Sequence, residues 1–132
     1  MSQENVEIVR RLIEAWDRGD LATALDSIDP DIEAVSALQM DNDGTYRGHA
    51  GLAEMLGAFW AEFESPRIEI EEAIPAGGDV VLGVRFSGRG KRSGLEVDMP
   101  AWHVWSLREG KAVRWWVLRT KQEALEAVGL RE

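Results

Sequence analysis

Midway along this chain the apolar residues change their spacing, and that change limits the fold more than any other feature. Val6, Val9, Leu12, Ile13 and Trp16 recur at steps of three and four, which gathers them on one face of a helix. Beyond residue 67 the step becomes two: Ile68, Ile70, Glu72 and Ile74 alternate with charged residues, as they do along a strand. Helices that come first and strands that follow one another closely specify an α+β domain built on an antiparallel meander. At 132 residues, 45% of them hydrophobic, residues 1–132 form one domain with enough apolar material for a single core.

The punctuation supports this division. Ser2 is placed to cap the first helix, and Gly19 supplies a left-handed stop. Asp20 caps a shorter helix bearing Leu21, Ala24, Leu25 and Ile28, which Pro30 is expected to end. Asp31 to Leu38 reads as a strand, and Gln39 to Gly48 as a loop with a turn at Asp43-Gly44. A third helix carries Leu52, Leu56, Phe59, Trp60 and Phe63 and is expected to stop before Pro66. After the turn at Pro75–Gly78, three further strands are expected at Asp79–Gly88, Leu95–Leu107 and Lys111–Arg119. Thr120 and Glu123 then form a capping box for a last short helix that Gly129 ends.

Charge and composition exclude several functions. The net charge of −9 argues against nucleic acid or an anionic membrane as the main partner. The charge is uneven: residues 1–72 hold 17 acidic and 5 basic side chains, whereas residues 73–132 hold 7 and 10. The absence of cysteine removes disulfides, thiolate metal sites and a cysteine nucleophile, and fits a reducing cytoplasm. Two histidines far apart in sequence, with no HExxH motif, give a metal little support, so neither metal nor other cofactor is expected.

Alternation along the strands assigns their two faces. On the predicted strands, Leu82, Val84, Phe86, Trp102, Val104, Trp116 and Leu118 are grouped on one apolar face. The opposite face is assigned Arg85, Ser87, Met99, His103, Trp105, Trp115, Val117 and Arg119. Two apolar faces exceed what a solvated sheet carries. The first is therefore expected to meet a second copy of the chain or to lie under loops, and the second to curl over the helices around a pocket.

The segments AWDRGD, DPDIEAV, TYRGHAGLAEML and WHVWSLREGKAVRWW, in this order of elements, resemble the SnoaL-like branch of the nuclear transport factor 2-like superfamily. The resemblance covers essentially the whole chain. It implies a cone-shaped curved antiparallel sheet closed by N-terminal helices, and a homodimer through the convex sheet face. The superfold hosts isomerases, epoxide hydrolases, polyketide cyclases, transport factors and non-catalytic domains, so it does not fix an activity. Matched to ketosteroid isomerases, the base falls on Ser36, the tyrosine on Leu12 and the oxyanion-hole aspartate on His103. Matched to limonene epoxide hydrolases, the arginine falls on Arg85 but the two aspartates fall on Ser87 and Val117. Val117 also stands where SnoaL-type cyclases place an acid/base aspartate. None of these mechanisms carries over intact.

Two side chains remain as candidates for chemistry. His103 is the only imidazole on the predicted strands and suits a general acid or base near neutral pH. Arg85, if it faces inward, needs a partner, either a structural carboxylate such as Asp17 or a ligand's carboxylate or enolate. Around them Trp16, Ser36, Tyr46, Phe59, Ser87, Met99, Trp105, Trp115, Val117 and Arg119 are expected to line a pocket for a small, mostly apolar molecule. The loop acids Asp41 and Asp43 offer a carboxylate over its mouth or simply make turns. The expectation is a homodimeric ligand-holding domain; the alternative is an enzyme that uses His103 and Arg85 on a small carbonyl, epoxide or polyketide-like substrate.

Overall fold

The computed structural model describes residues 2–36 and 45–130. Helix α1 (Ser2–Asp17) and the short α2 (Leu21–Leu25) lead into strand β1 (Ile28–Ser36). Strand β2 (Thr45–Arg47) and helix α3 (Gly48–Ala61) follow. Strands β3 (Phe63–Ala76), β4 (Asp79–Gly90), β5 (Glu96–Arg108) and β6 (Lys111–Leu118) come next, and helix α4 (Lys121–Ala127) completes the order. The strands form one curled, unclosed sheet in the order β2-β1-β6-β5-β4-β3. All neighbours are antiparallel except β1 and β6, so the long run from β3 to β6 is a meander, as the sequence predicts.

Three boundaries differ from the sequence reading. Ile28 and Pro30 belong to β1 rather than to the second helix. Ile28 sits opposite Ala112 of β6, and the register then shifts before Glu33, so Pro30 occupies an irregularity where no ladder N–H is required. Phe63 opens β3 rather than closing α3, and Ser65-Pro66 falls in another register shift, between Glu64 and Arg67. Thr45–Arg47, read as loop, forms an edge strand against Glu33–Val35. The Asp43-Gly44 turn lies outside the described residues.

The cross-strand register settles which residues share a face, because directly opposed residues point the same way. Val80, Leu82, Val84 and Phe86 oppose Trp105, His103, Ala101 and Met99. His103 and Trp105 in turn oppose Val117 and Trp115, which oppose Ser36 and Ala34. These residues make the inner face, where buried side chains of α1, α2, α3 and the sheet form one large cluster. Val81, Trp102, Val104, Trp116 and Leu118 point the other way and form a smaller cluster with Ala124 of α4.

Two expectations are therefore corrected. Leu82, Val84 and Phe86 do not join Trp102 and Trp116 on an interface but are buried on the inner face. Arg85 and Ser87 do not face the pocket but stand on the outer face, Ser87 opposite Asp98. A bulge at Glu71 has a related effect on β3. Ile70 opposes Val84 and Glu72 opposes Gly83, so Ile68 and Ile70 face inward while Ile74, opposite Val81, faces outward.

Local chemistry fixes the remaining geometry. Gly83 lies beneath the Trp102 ring, where an added Cβ would come within 2.8 Å of ring carbon, so any larger residue would displace the indole. Asp17 at the end of α1 accepts hydrogen bonds from Arg67 and from the Ile68 N–H, tying the helix to the start of β3. Burial would raise the Asp17 carboxyl, but the hydrogen bonds from Arg67 and Ile68 outweigh it and hold the group below its ordinary value. Thr120 and Glu123 make the expected capping box.

Candidate functional site

The inner face is walled by aromatic side chains from five elements. Trp105 and Trp115, neighbours on β5 and β6, stack with ring centroids 5.1 Å apart and planes 9° from parallel. Trp16, delivered by the last turn of α1, meets Trp115 edge-on at 5.0 Å. Trp60 of α3 packs on Trp16 and stacks on Phe86 at 5.5 Å, extending the aromatic wall along the sheet. A narrow cavity of about 10 Å³, the room of roughly one water, lies among Leu12, Trp16, Leu21, Ala24, Ile28, Leu52, Leu56, Trp105 and Trp115. Its aliphatic lining from the helices had no signal in the sequence beyond the helical spacing that marks ordinary core.

Only two buried polar side chains occur among the described residues, Ser36 and His103, and both are on the inner face. His103 is 3% exposed and accepts a hydrogen bond at Nδ1 from the Trp105 indole, 3.3 Å away. Its ring also meets Trp115 edge-on at 5.3 Å. Burial pushes the His103 imidazole down to about 3, so it stays neutral at physiological pH. With Nδ1 engaged and protonation suppressed, His103 lacks the basicity that a general base near neutral pH requires.

Arg85 is no partner to it. The guanidinium extends along the outer face, where it pairs with Asp98 at 2.8 Å and Glu71 at 3.2 Å. Asp17, the carboxylate proposed for it from sequence, belongs instead to Arg67. An exposed arginine satisfied by two exposed acids is a surface ion network. Arg85→Ala is expected to move the urea unfolding midpoint no more than another exposed substitution and to leave ligand binding at the inner face unchanged.

The other predicted pocket residues divide plainly. Trp16, Ser36, Trp105, Trp115 and Val117 are buried on the inner side, and Met99 is half-buried there. Tyr46, opposite Ala34 on β2, is half-buried in the same row as Trp115. Arg119 lies exposed just past the end of β6. Ser87 is on the other face. Asp41, Asp43 and the Phe59 side chain lie outside the described residues. His49 is structural, its ring bonding the Ile28 carbonyl at 2.8 Å beneath the start of α3.

Comparison with known proteins gives this arrangement its relatives. The sequence matches none of the curated proteins. Among solved structures, TerC co-crystallised with polyporic acid is 25% identical, with 95% of this chain and 98% of that chain covered and a TM-score of 0.78. A nuclear transport factor 2-like protein from Burkholderia thailandensis is 26% identical, covering 86% of this chain and 88% of its own, also at 0.78. Bal32a, from a soil-derived mobile gene cassette, reaches a TM-score of 0.80 over 96% of this chain and 97% of its own. At 17% identity it shows the shared fold alone. Residues 9–115 match the SnoaL-like domain. The chain belongs to that family, on the nuclear transport factor 2-like fold.

Proposed function

We propose that this protein is a homodimeric domain that holds a small, mostly apolar molecule at the inner face of its sheet without transforming it. The observation that carries the reading is the make-up of the inner face. Tryptophans 16, 105 and 115 wall it, its buried polar side chains are Ser36 and a neutral His103, and no carboxylate is buried among the described residues. Apolar walls with a few placed polar groups suit a ligand site, and because the described cavity has room for about one water, the helices must draw away from the sheet to admit the ligand. Proton abstraction or epoxide opening needs a poised acid or base, which these groups do not supply. The enzyme alternative rested on His103 and Arg85 acting together, and the sheet lies between them. The similarity to TerC, a protein crystallised with polyporic acid, supports an aromatic, oxygen-bearing ligand.

The proposed dimer uses the outer face, where Trp102, Trp116 and Leu118 are half-buried beside α4. Calorimetric titration with polyporic acid tests ligand holding: saturable binding with no change in the ligand's absorption spectrum is expected. Consumption of the compound would favour an enzyme, and no heat of binding would remove the reading. Sedimentation tests the dimer, which is expected at twice 14.7 kDa and at the monomer mass for Leu118→Glu.

A further inference from the structure

We infer that α2 is a flap over the inner face: it melts away to admit the ligand, which then occupies the place of Leu21 and Ala24. This deepens the ligand-holding reading and rests on it. The narrow cavity is walled by all three N-terminal helices, with Leu21 and Ala24 as the share of α2. Room for about one water does not take an aromatic molecule, so one of these walls has to yield.

Two of the three helices are pinned in ways that α2 is not. Helix α1 buries Val9, Leu12 and Ile13, and Asp17 at its end accepts from Arg67 and from the Ile68 N–H. Helix α3 buries Leu52 and Leu56 and is held at both ends. The His49 ring bonds the Ile28 carbonyl at 2.8 Å, and the Lys91 N–H beyond β4 donates to the Glu62 carbonyl, just past α3, at 2.9 Å. Helix α2 runs for five residues and buries only Ala24, with Leu21 and Leu25 half-buried. The bonds of its cap, from the Thr23 N–H and hydroxyl to the Asp20 carboxylate, lie within the segment and hold it to nothing else.

Both neighbours of α2 are closed off without it. Helix α1 ends on the Gly19 and Asp20 N–H groups, which donate to the Trp16 and Ala15 carbonyls at 2.9 and 2.8 Å. On the other side, the Ser27 carbonyl accepts from the Ala112 N–H at 2.8 Å and the Asp26 carbonyl from Lys111 Nζ at 2.7 Å, which fixes the entry to β1. The segment between these two anchors can therefore open while α1 and the sheet stay folded. A helix of five residues does not persist away from its packing surface, so opening and melting are one event. A molecule that packs on Trp16 and Trp115 in the vacated space binds the open form alone and holds it open.

Native-state hydrogen exchange on the ¹⁵N-labelled chain tests the flap without any ligand. The Ala24 and Asp26 N–H groups bond the Asp20 and Thr23 carbonyls. They are expected to exchange about a hundredfold faster than the Ile13 N–H, corrected for intrinsic rates, through an opening that urea barely accelerates. Saturating polyporic acid should speed Ala24 and Asp26 further and slow Ile13. Asp20→Ala removes the α2 cap but keeps the N–H that closes α1. It should raise the affinity for polyporic acid about fivefold, the scale of one helix cap transferred to the open population. Thr120→Ala, which removes the cap of α4 on the outer face, should leave that affinity unchanged. Exchange of Ala24 and Asp26 at the Ile13 rate, with its urea dependence, overturns the flap and leaves ligand holding to its own titration. Bound polyporic acid that protects Ala24 and Asp26, or an affinity that Asp20→Ala does not move, overturns it as well. If α2 opens but polyporic acid does not bind, the ligand-holding reading falls and the entry route falls with it.

Discussion

Leu82→Ala is expected to destabilise the protein by about 3 kcal/mol, the middle of the range for a fully buried leucine whose surroundings relax only in part. Leu82 is 0% exposed and lies on the inner face between Ala73 of β3 and His103 of β5. Helix α1 covers β3 and β4, so truncation there leaves a void walled by a helix and a sheet that cannot collapse together. In the proposed dimer the loss belongs to each protomer. Urea unfolding should show it undiminished across protein concentrations, and the sedimentation constant for self-association should not move. Leu118→Ala on the outer face should behave oppositely, with a smaller loss in the protomer and a measurable shift in association. If Leu82→Ala weakened association and spared the protomer, the face assignment drawn from the register would be wrong.

That contrast marks where sequence reasoning stopped. The change of period placed the β3–β6 meander after the helices, although Ile28, Pro30 and Phe63 lie in strands at the helix ends, and the caps at Asp20 and Thr120 sit where the residue types place them. Alternation within a strand was also legible: Val80, Leu82, Val84 and Phe86 do share a side. What alternation does not contain is how one strand slides against the next, and a slip of one residue exchanges its faces. Strand β4 gave no help at its apolar end, because both Leu82 and Val81 are fully buried, one beneath the N-terminal helices and the other near α4. Arg85 and Ser87 were informative, but as markers of the solvated side rather than of a pocket. The acids that satisfy Arg85 come from both neighbouring strands, and one of them, Glu71, is the bulged residue of β3. A bulge leaves no period in the sequence, so neither the partner nor the outward turn of Ile74 was readable. Within the site, alternation along the Leu95–Leu107 strand put His103 and Trp105 on one face, but the bond between them depends on side-chain directions that only the folded sheet defines.

Acid should expose the cost of burying His103. The unfolded chain protonates this imidazole near 6.5, whereas burial holds the folded one at about 3. Between those values the unfolded state binds a proton that the folded state refuses, so stability rises with pH and falls as acid is added. The slope contributed by this one group approaches about 1.4 kcal/mol per pH unit, and at pH 5 the loss relative to neutral pH is about 2 kcal/mol. The contribution of Asp17 falls in a different window. Its folded carboxyl lies below the ordinary 3.8, so its stabilisation persists above that value and is lost as pH drops through the folded pKa. Urea unfolding of the parent protein and His103→Leu at pH 7, 6 and 5 separates the histidine from the rest. The variant should be less stable at pH 7, because the Trp105 indole loses its acceptor, yet its stability should fall less steeply with acid. Curves that ran parallel over that range would mean that His103 reaches solvent and titrates normally in the folded state. A histidine that titrates there would have both ring nitrogens protonated in acid and would no longer accept from Trp105. The same measurement therefore bears on function, since a ring that stays neutral in the folded state does not serve as a general acid or base near neutral pH.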